Sequence, residues 1–203
     1  MVWNEPYEVE TKVKLLDSEV KEMRERIKQI AVFEKEGTKA DDYFAIQNKQ
    51  DYPKKAFRIR ATKDEFEVNF KKWLVNLWTK DIVVKREFEF TLKGKEQVED
   101  LLALFRDLGF KEWVKKIKKN ETYQWKKDKK VSIEINNVKH LGYFLELEYL
   151  CQPRDLNKAR NKLREVLKEL KVRPEQIDNT GYTKMLWYKG TKEKKKFLMK
   201  SKK

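Results

Sequence analysis

Five segments of this chain alternate polar and apolar residues with period two, and in each of them one face is wholly charged or polar. In residues 7–12, Glu8, Glu10 and Lys12 fall on one side of an extended chain and Tyr7, Val9 and Thr11 on the other. Phe66, Val68 and Phe70 oppose Glu67, Asn69 and Lys71; Val84, Arg86, Phe88 and Phe90 oppose Lys85, Glu87 and Glu89. Ile133 and Ile135 oppose Glu134 and Asn136, and Leu145 and Leu147 oppose Glu146 and Glu148. A sheet with its polar face in water explains this pattern. So does a closed barrel whose charged faces point inward, provided that helices cover the apolar outside.

Three amphipathic helices are predicted, and each needs an apolar partner. Ser18 is placed to cap one that presents Val20, Met23, Ile27 and Ile30. A second runs over residues 95–108, with Val98, Leu101, Leu102 and Phe105 on one face and Gly109 placed to end it. The third, over 156–170, presents Leu156, Ala159, Leu163, Val166, Leu167 and Leu170. Strands are predicted at 7–16, 42–47, 56–62, 65–73, 82–92, 115–125, 130–136 and 143–150, with a polar loop around Gly37 and a hairpin turn at Lys63-Asp64. Charges of both signs inside a barrel are tolerable only when paired with each other, with a ligand or with metal.

With 203 residues, the chain is expected to form one domain around one core. Six Trp, eight Tyr and eleven Phe, spread along its length, exclude disorder despite 41% charged residues. One cysteine, Cys151, excludes an internal disulfide and reads as a packing residue; one histidine, His140, excludes a His-based zinc site or triad and reads as a turn residue. Six glycines form no phosphate loop. No apolar run approaches the roughly eighteen residues of a membrane span, and residues 1–10 lack a basic-then-apolar leader, so a cytoplasmic protein without membrane association is expected. The net charge of +15 favours a polyanionic partner, with nucleic acid secondary to a small molecule.

Glu8-x-Glu10-x-Lys12 near the N-terminus resembles the signature of the CYTH, or triphosphate tunnel metalloenzyme, superfamily, which includes class IV adenylyl cyclases and thiamine and inorganic triphosphatases. The later elements keep the family's order. They are Asp42-Tyr43-Phe44, Phe57-Arg58-Ile59-Arg60, Lys71, the series Lys85, Glu87, Glu89, then Leu108-Gly109-Phe110, Lys118 with Tyr123, the run from Leu141 to Glu148, and Tyr182. The resemblance covers residues 5–188. It implies an α+β fold, a closed eight-stranded antiparallel β-barrel forming a triphosphate tunnel with amphipathic helices outside. The tunnel domain is expected over residues 1–188, followed by a disordered Lys-rich tail, 189–203.

By the same resemblance Lys12, Arg58, Arg60, Lys71, Lys85 and Lys118 contact the triphosphate, and Glu8, Glu10, Glu146, Glu148, Glu87 and Glu89 bind Mg²⁺ or Mn²⁺ directly or through water. Glu8, Glu10 and Lys12 are the catalytic group. The residue types suit these roles: ammonium and guanidinium groups neutralise phosphate oxygens, and hard cations prefer carboxylates. The implied activity is hydrolysis of an inorganic or organic triphosphate, such as tripolyphosphate, a nucleoside triphosphate or thiamine triphosphate. The alternatives are conversion of ATP to cyclic AMP and pyrophosphate, and non-catalytic binding of triphosphates or RNA 5′ ends. A homodimer is expected from family habit. Three positions depart from the pattern: Asn120 replaces Arg, Asn136 replaces Asp, and Lys85 replaces Arg. Metal affinity or substrate choice is expected to differ accordingly.

Overall fold

The computed structural model describes residues 6–46, 52–53, 55–62 and 65–192. Its strands are β1 (Tyr7–Lys14), β2 (Ala31–Ala45), β3 (Ala56–Ala61), β4 (Glu65–Trp73), β5 (Val83–Lys93), β6 (Lys111–Trp125), β7 (Val131–Val138) and β8 (Gly142–Cys151). They close into an antiparallel barrel in the order β1-β5-β4-β3-β2-β6-β7-β8. The α-helices are α1 (Val20–Ile30), α2 (Gly94–Asp107), α3 (Leu156–Glu169) and α4 (Tyr182–Lys192). No helix among the described residues is long and apolar enough to cross a membrane.

Helix packing decides which face of the strands turns inward. Val20, Met23 and Ile27 of α1, and Ala159, Leu163, Val166 and Leu167 of α3, are buried in one cluster with Val9, Ile133, Ile135, Leu145 and Leu147. Those strand residues belong to the apolar faces, so the charged faces are left for the barrel interior. The chain divides into two compact units, and each carries its own cluster, in place of the one core expected. The first unit, Met1–Thr38 with Lys72–Glu87 and Lys118–Asn179, holds the cluster just described. The second, Lys39–Lys71 with Phe88–Ile117 and Thr180–Lys203, gathers Phe44, Phe57, Ile59, Val68 and Val98. There Leu101, Leu102 and Phe105 of α2 cover the apolar face of β3 and β4.

Several boundaries differ from the sequence expectation. The segment read as a polar loop around Gly37 is part of β2, a 15-residue strand. Seven consecutive residues of that strand are exposed, so no apolar alternation marks it. Ser18 does not cap α1: a 3₁₀ turn, Asp17–Glu19, precedes the helix, and the Glu19 carboxylate accepts from the Leu16 N–H (2.9 Å). α4 was not anticipated and carries helix past Lys189 to Lys192. Gln47, the turn at Lys63-Asp64 and residues 193–203 lie outside the described residues. His140 occupies the turn between β7 and β8 with φ 72°, and Cys151 is buried in the first cluster, where burial raises its thiol pKa.

Two helices end alike. After α2, Gly109 (φ 85°) donates to the Arg106 carbonyl and Phe110 to the Phe105 carbonyl (2.9 and 2.8 Å). After α3 the same pair of bonds runs from Lys171 to Lys168 and from Val172 to Leu167 (3.0 Å each). Here the left-handed position is held by a lysine, at φ 54°. A side chain resists that conformation and glycine does not. Lys171→Gly is therefore expected to raise the melting temperature by about 1–3 °C, the gain reduced by the greater freedom of glycine in the unfolded chain. Leu163→Ala, at a fully buried α3 position, is expected to cost about 2–5 kcal/mol. Thermal and urea melts check both.

Asp81 ties the β4–β5 connection to α3 and β1. Its carboxylate accepts from Arg164 Nε and Nη2 (2.7 and 3.0 Å) and from Thr79 Oγ1 (2.8 Å), and its carbonyl from Thr11 Oγ1 (2.7 Å). The Arg164 hydrogen bond, despite some opposing burial, lowers the Asp81 pKa to about 2. A depressed carboxylate stabilises the fold above its unfolded pKa, and that contribution is lost as pH falls through the folded value. Acidification from pH 5 to pH 2 is expected to remove about 1 kcal/mol from the wild type through this group, discounted for its exposure, and none from Asp81→Asn. Urea titrations of the two proteins at each pH measure the difference.

Candidate functional site

Strand register alone brings charged residues of the first unit into rows. Glu8 lies opposite Lys85 across β1 and β5, and Glu10 opposite Glu148 across β1 and β8. A longer row crosses four strands: Lys12 opposite Glu146, Glu146 opposite Glu134, and Glu134 opposite Thr122. All stand on the polar faces that the alternating pattern defines. Glu8 and Lys12 are 2% exposed, Lys85 4% and Glu10 and Lys118 7%, so these charges have left water.

Hydrogen bonds compensate them. Lys85 Nζ donates to Glu8 Oε1 (3.1 Å) and to Glu10 Oε2. Lys118 Nζ donates to Glu134 Oε2 (2.8 Å) and Glu146 Oε2 (3.2 Å). Asn136 Nδ2 donates to the same Glu146 oxygen (2.6 Å), and Thr122 Oγ1 to Glu134 Oε1 (3.3 Å). Burial alone would lower the pKa of each lysine. At Lys85 the opposing pull of Glu10 and Glu8 wins and holds the ammonium above the ordinary lysine range. At Lys118, Glu146 and Glu134 do the same. At Lys12 burial wins: its pKa is lowered although Glu10 and Glu146 favour the charged form. Its backbone is fixed by an N–H donated to Asn179 Oδ1 (2.8 Å) and a carbonyl that accepts from the Asp178 N–H (2.8 Å).

In the second unit, Tyr43, Arg58 and Asn69 form one row across β2, β3 and β4, and Asp41, Arg60 and Glu67 the next. Arg60 Nε donates to Asp41 Oδ1 (2.6 Å) and Nη1 to Glu67 Oε1 (3.3 Å); Arg58 Nη2 donates to the same Glu67 oxygen. Lys116 Nζ lies 2.8 Å from Asp41 Oδ2. Burial would raise the pKa of Asp41, but Lys116 and Arg60 hold it far below the usual carboxylate range.

The expected residues thus fall into two groups. Glu8, Glu10, Lys12, Lys85, Lys118 and Glu146 are joined by contacts in the first unit, with Glu148 opposite Glu10 and Glu87 two residues beyond Lys85 on the same strand face. Arg58 and Arg60 belong to the second unit, with Lys71 half-buried on the β4 face that carries Glu67 and Asn69. Glu89 is held by Arg58 (3.5 Å) and by Asn69 Nδ2 (2.9 Å), an ion-pairing position. Sequence reasoning did not single out Asp41, Glu67, Lys116, Thr122 or Glu134. Period-two parity counted from Lys118 places Lys116 and Thr122 on its face, and parity from Asn136 includes Glu134.

Hard carboxylate oxygens on adjoining positions of β1 and β8 suit a divalent cation in kind. As arranged, Glu8, Glu10 and Glu146 are turned toward lysines, and no group of three or more Asp, Glu, His or Cys among the described residues stands ready to hold a metal. Asn136 adds a buried Oδ1 without a hydrogen-bond partner beside Glu146, an acceptor that a cation or water would satisfy. A cavity of about 430 Å³ reaches Asn120 but none of the buried lysines or their carboxylate partners. Its lining includes Glu121, Ile135 and Asn137, which alternate with Asn120 and Asn136 and so face outward, and Arg24 of α1 closes on Glu121 there (2.5 and 3.0 Å).

The CYTH domain family model matches residues 6–182. No protein of curated function matches the sequence. Among solved structures, a protein from Pyrococcus horikoshii OT3 is 26% identical with a TM-score of 0.69, over 90% of this chain and 99% of its own. A candidate adenylate cyclase from Vibrio parahaemolyticus is 14% identical with a TM-score of 0.64, over 89% and 98% of the two chains. A candidate adenylyl cyclase from Hippeastrum, described by a dominant triphosphatase activity, is 12% identical with a TM-score of 0.56, over 92% and 96%. The last two likenesses concern the fold. The family match takes in all eight strands, with the rows of charge they carry, and the chain belongs to the CYTH domain family.

Proposed function

We propose that this chain hydrolyses the terminal phosphoanhydride of a triphosphate at the charged rows of its first unit. The observation that carries the reading is the buried network of Glu8, Glu10, Lys12, Lys85, Lys118 and Glu146, set by strand register. Three buried ammonium groups are a costly arrangement for stability alone, and they suit a ligand rich in phosphate oxygens. Lys12 adds to this: burial disfavours its charged form, and an entering polyanion would restore it.

In this reading the chain's own groups act by position and charge. Lys12, Lys85 and Lys118 take up the phosphate oxygens, exchanging carboxylate partners for phosphate. The carboxylates so released, Glu8, Glu10 and Glu146, would hold Mg²⁺ or Mn²⁺ together with Glu148 and Glu87 on the same strand faces. Such a cation supplies neutralisation of the charge that develops on the phosphoryl oxygens. Glu10 orients a water and accepts its proton as the water oxygen bonds to the terminal phosphorus. The bond from that phosphorus to the bridging oxygen breaks, and diphosphate leaves with the electron pair. In the second unit, Arg58 and Arg60 offer guanidinium forks and Lys71 an ammonium of the chemistry that phosphate contacts require.

Phosphate release from tripolyphosphate, thiamine triphosphate and ATP, with Mg²⁺ or Mn²⁺, tests the proposal. Wild-type turnover that falls about a hundredfold or more in Glu10→Gln is the expected result, with the folded state retained. Cyclic AMP and pyrophosphate from ATP would replace hydrolysis with cyclisation. Stabilisation of the fold by tripolyphosphate without any product would make the chain a binding protein, and neither stabilisation nor product would sink the site altogether.

A further inference from the structure

The charged rows have an aromatic neighbour. Trp73 closes β4 on the parity of Glu67, Asn69 and Lys71, the polar face, and Lys85 Nζ lies 4.9 Å from its ring centroid. The same ammonium holds Glu8 and Glu10. Trp73 is nevertheless 38% exposed, so much of its indole surface remains open beside a cluster otherwise withdrawn from water.

That surface is held in place. Trp78 meets Trp73 edge to face at 5.4 Å, and its Nε1–H is donated to the Val84 carbonyl (3.1 Å). The Val84 carbonyl also accepts from the Leu74 N–H (3.0 Å), and a 3₁₀ turn, Val75–Leu77, joins the two indoles. Arg160 of α3 donates to the Leu77 carbonyl, which anchors the turn. Leu150, opposite Glu8 in register, is 52% exposed as well. Large apolar groups kept rigid and open next to a buried ion cluster mark a recognition surface.

We infer that Trp73 stacks against a heteroaromatic ring carried by the substrate, so that the ligand is an organic triphosphate, as nucleoside and thiamine triphosphates are, and not a bare phosphate chain. This rests on the triphosphate reading above. Lys85 links the two halves of the site: its ammonium engages phosphate, and its position against the indole sets the ring beside it. Stacking on tryptophan tolerates different rings because every heteroaromatic group has a π face, and a cationic ring gains further from the indole quadrupole.

Calorimetric titration of the full chain with ATP, thiamine triphosphate and inorganic tripolyphosphate, in Mg²⁺ and separately in EDTA, decides the matter. Trp73→Leu is expected to weaken ATP, thiamine triphosphate or both by about tenfold or more, and tripolyphosphate by less than twofold. Trp73→Phe, which keeps a ring, is expected to retain most of the wild-type affinity. Loss for ATP alone assigns a neutral purine, and loss for thiamine triphosphate alone a cationic ring. Equal weakening of all three ligands, or none, would overturn the stacking role and leave the triphosphate site standing. Failure of the wild type to bind any of the three would remove both. If Trp73→Leu does not fold, Trp73→Gln carries the same comparison.

Discussion

A lysine ammonium stripped of water is tolerable only with carboxylates in hydrogen-bonding reach, and the interior of this barrel follows from that requirement. Lys85 is 4% exposed and lies between Glu8 and Glu10; Lys118 is 7% exposed and lies between Glu134 and Glu146. Both pairings cross strands, so they hold only at one register. A slip of one residue in β1 would turn Glu8, Glu10 and Lys12 toward the helices and Val9 and Val13 into the charged rows. The apolar faces impose the same register from outside, because Val9, Ile133, Ile135, Leu145 and Leu147 pack with α1 and α3 only in it. Charge inside and hydrophobic burial outside therefore select one pairing.

Balance within the network is uneven, and the unevenness bears on function. Two of its lysines are held above their usual pKa and one below, although all three are nearly buried. Lys85 and Lys118 each donate to two carboxylates, whereas the attraction of Glu10 and Glu146 for Lys12 does not outweigh burial. In the proposed function an incoming polyanion would relieve Lys12 and compete for the other two. The carboxylates freed by that exchange are the groups that a divalent cation requires. Binding of anion and cation would then be coupled through the lysines, each favouring the other.

The alternating strands were legible because their two faces differ in every second residue. β1, β4, β5, β7 and β8 follow that parity, and the structure turns the apolar sides of β1, β4, β7 and β8 onto the helices. β2 was not legible over Val32 to Thr38, since a run of exposed residues carries no signal of period two. Trp73 shows the same limit from another side. It stands on polar parity at the end of the predicted strand, and its neighbour Lys85, twelve positions on, is visible only in the folded chain. The partners of the lysines were hidden for a related reason: Glu134 is in the pattern, but nothing in a single strand says that the Lys118 side chain, rather than a ligand, reaches it. The division into two apolar clusters was equally out of reach, because composition counts apolar residues and not where they gather.

Asn120 and Asn136, read separately, are two losses relative to the family pattern, an arginine and an aspartate. The fold makes them one feature: they are directly opposite each other across β6 and β7, and 4% and 0% exposed. Opposite charges at such positions would pair, so replacing only one would leave a buried ion without compensation, which is strongly destabilising. Replacing both leaves the net charge of the interior unchanged. Each amide then donates to a neighbour, Asn120 Nδ2 to Thr122 Oγ1 (2.9 Å) and Asn136 Nδ2 to Glu146 Oε2 (2.6 Å), and each retains a buried Oδ1 without a partner. Relative to the family pattern, the pair thus has two neutral acceptors in place of a cation and an anion. It keeps the electrostatic balance of the barrel, and in the proposed function the work of binding phosphate falls to Lys12, Lys85 and Lys118.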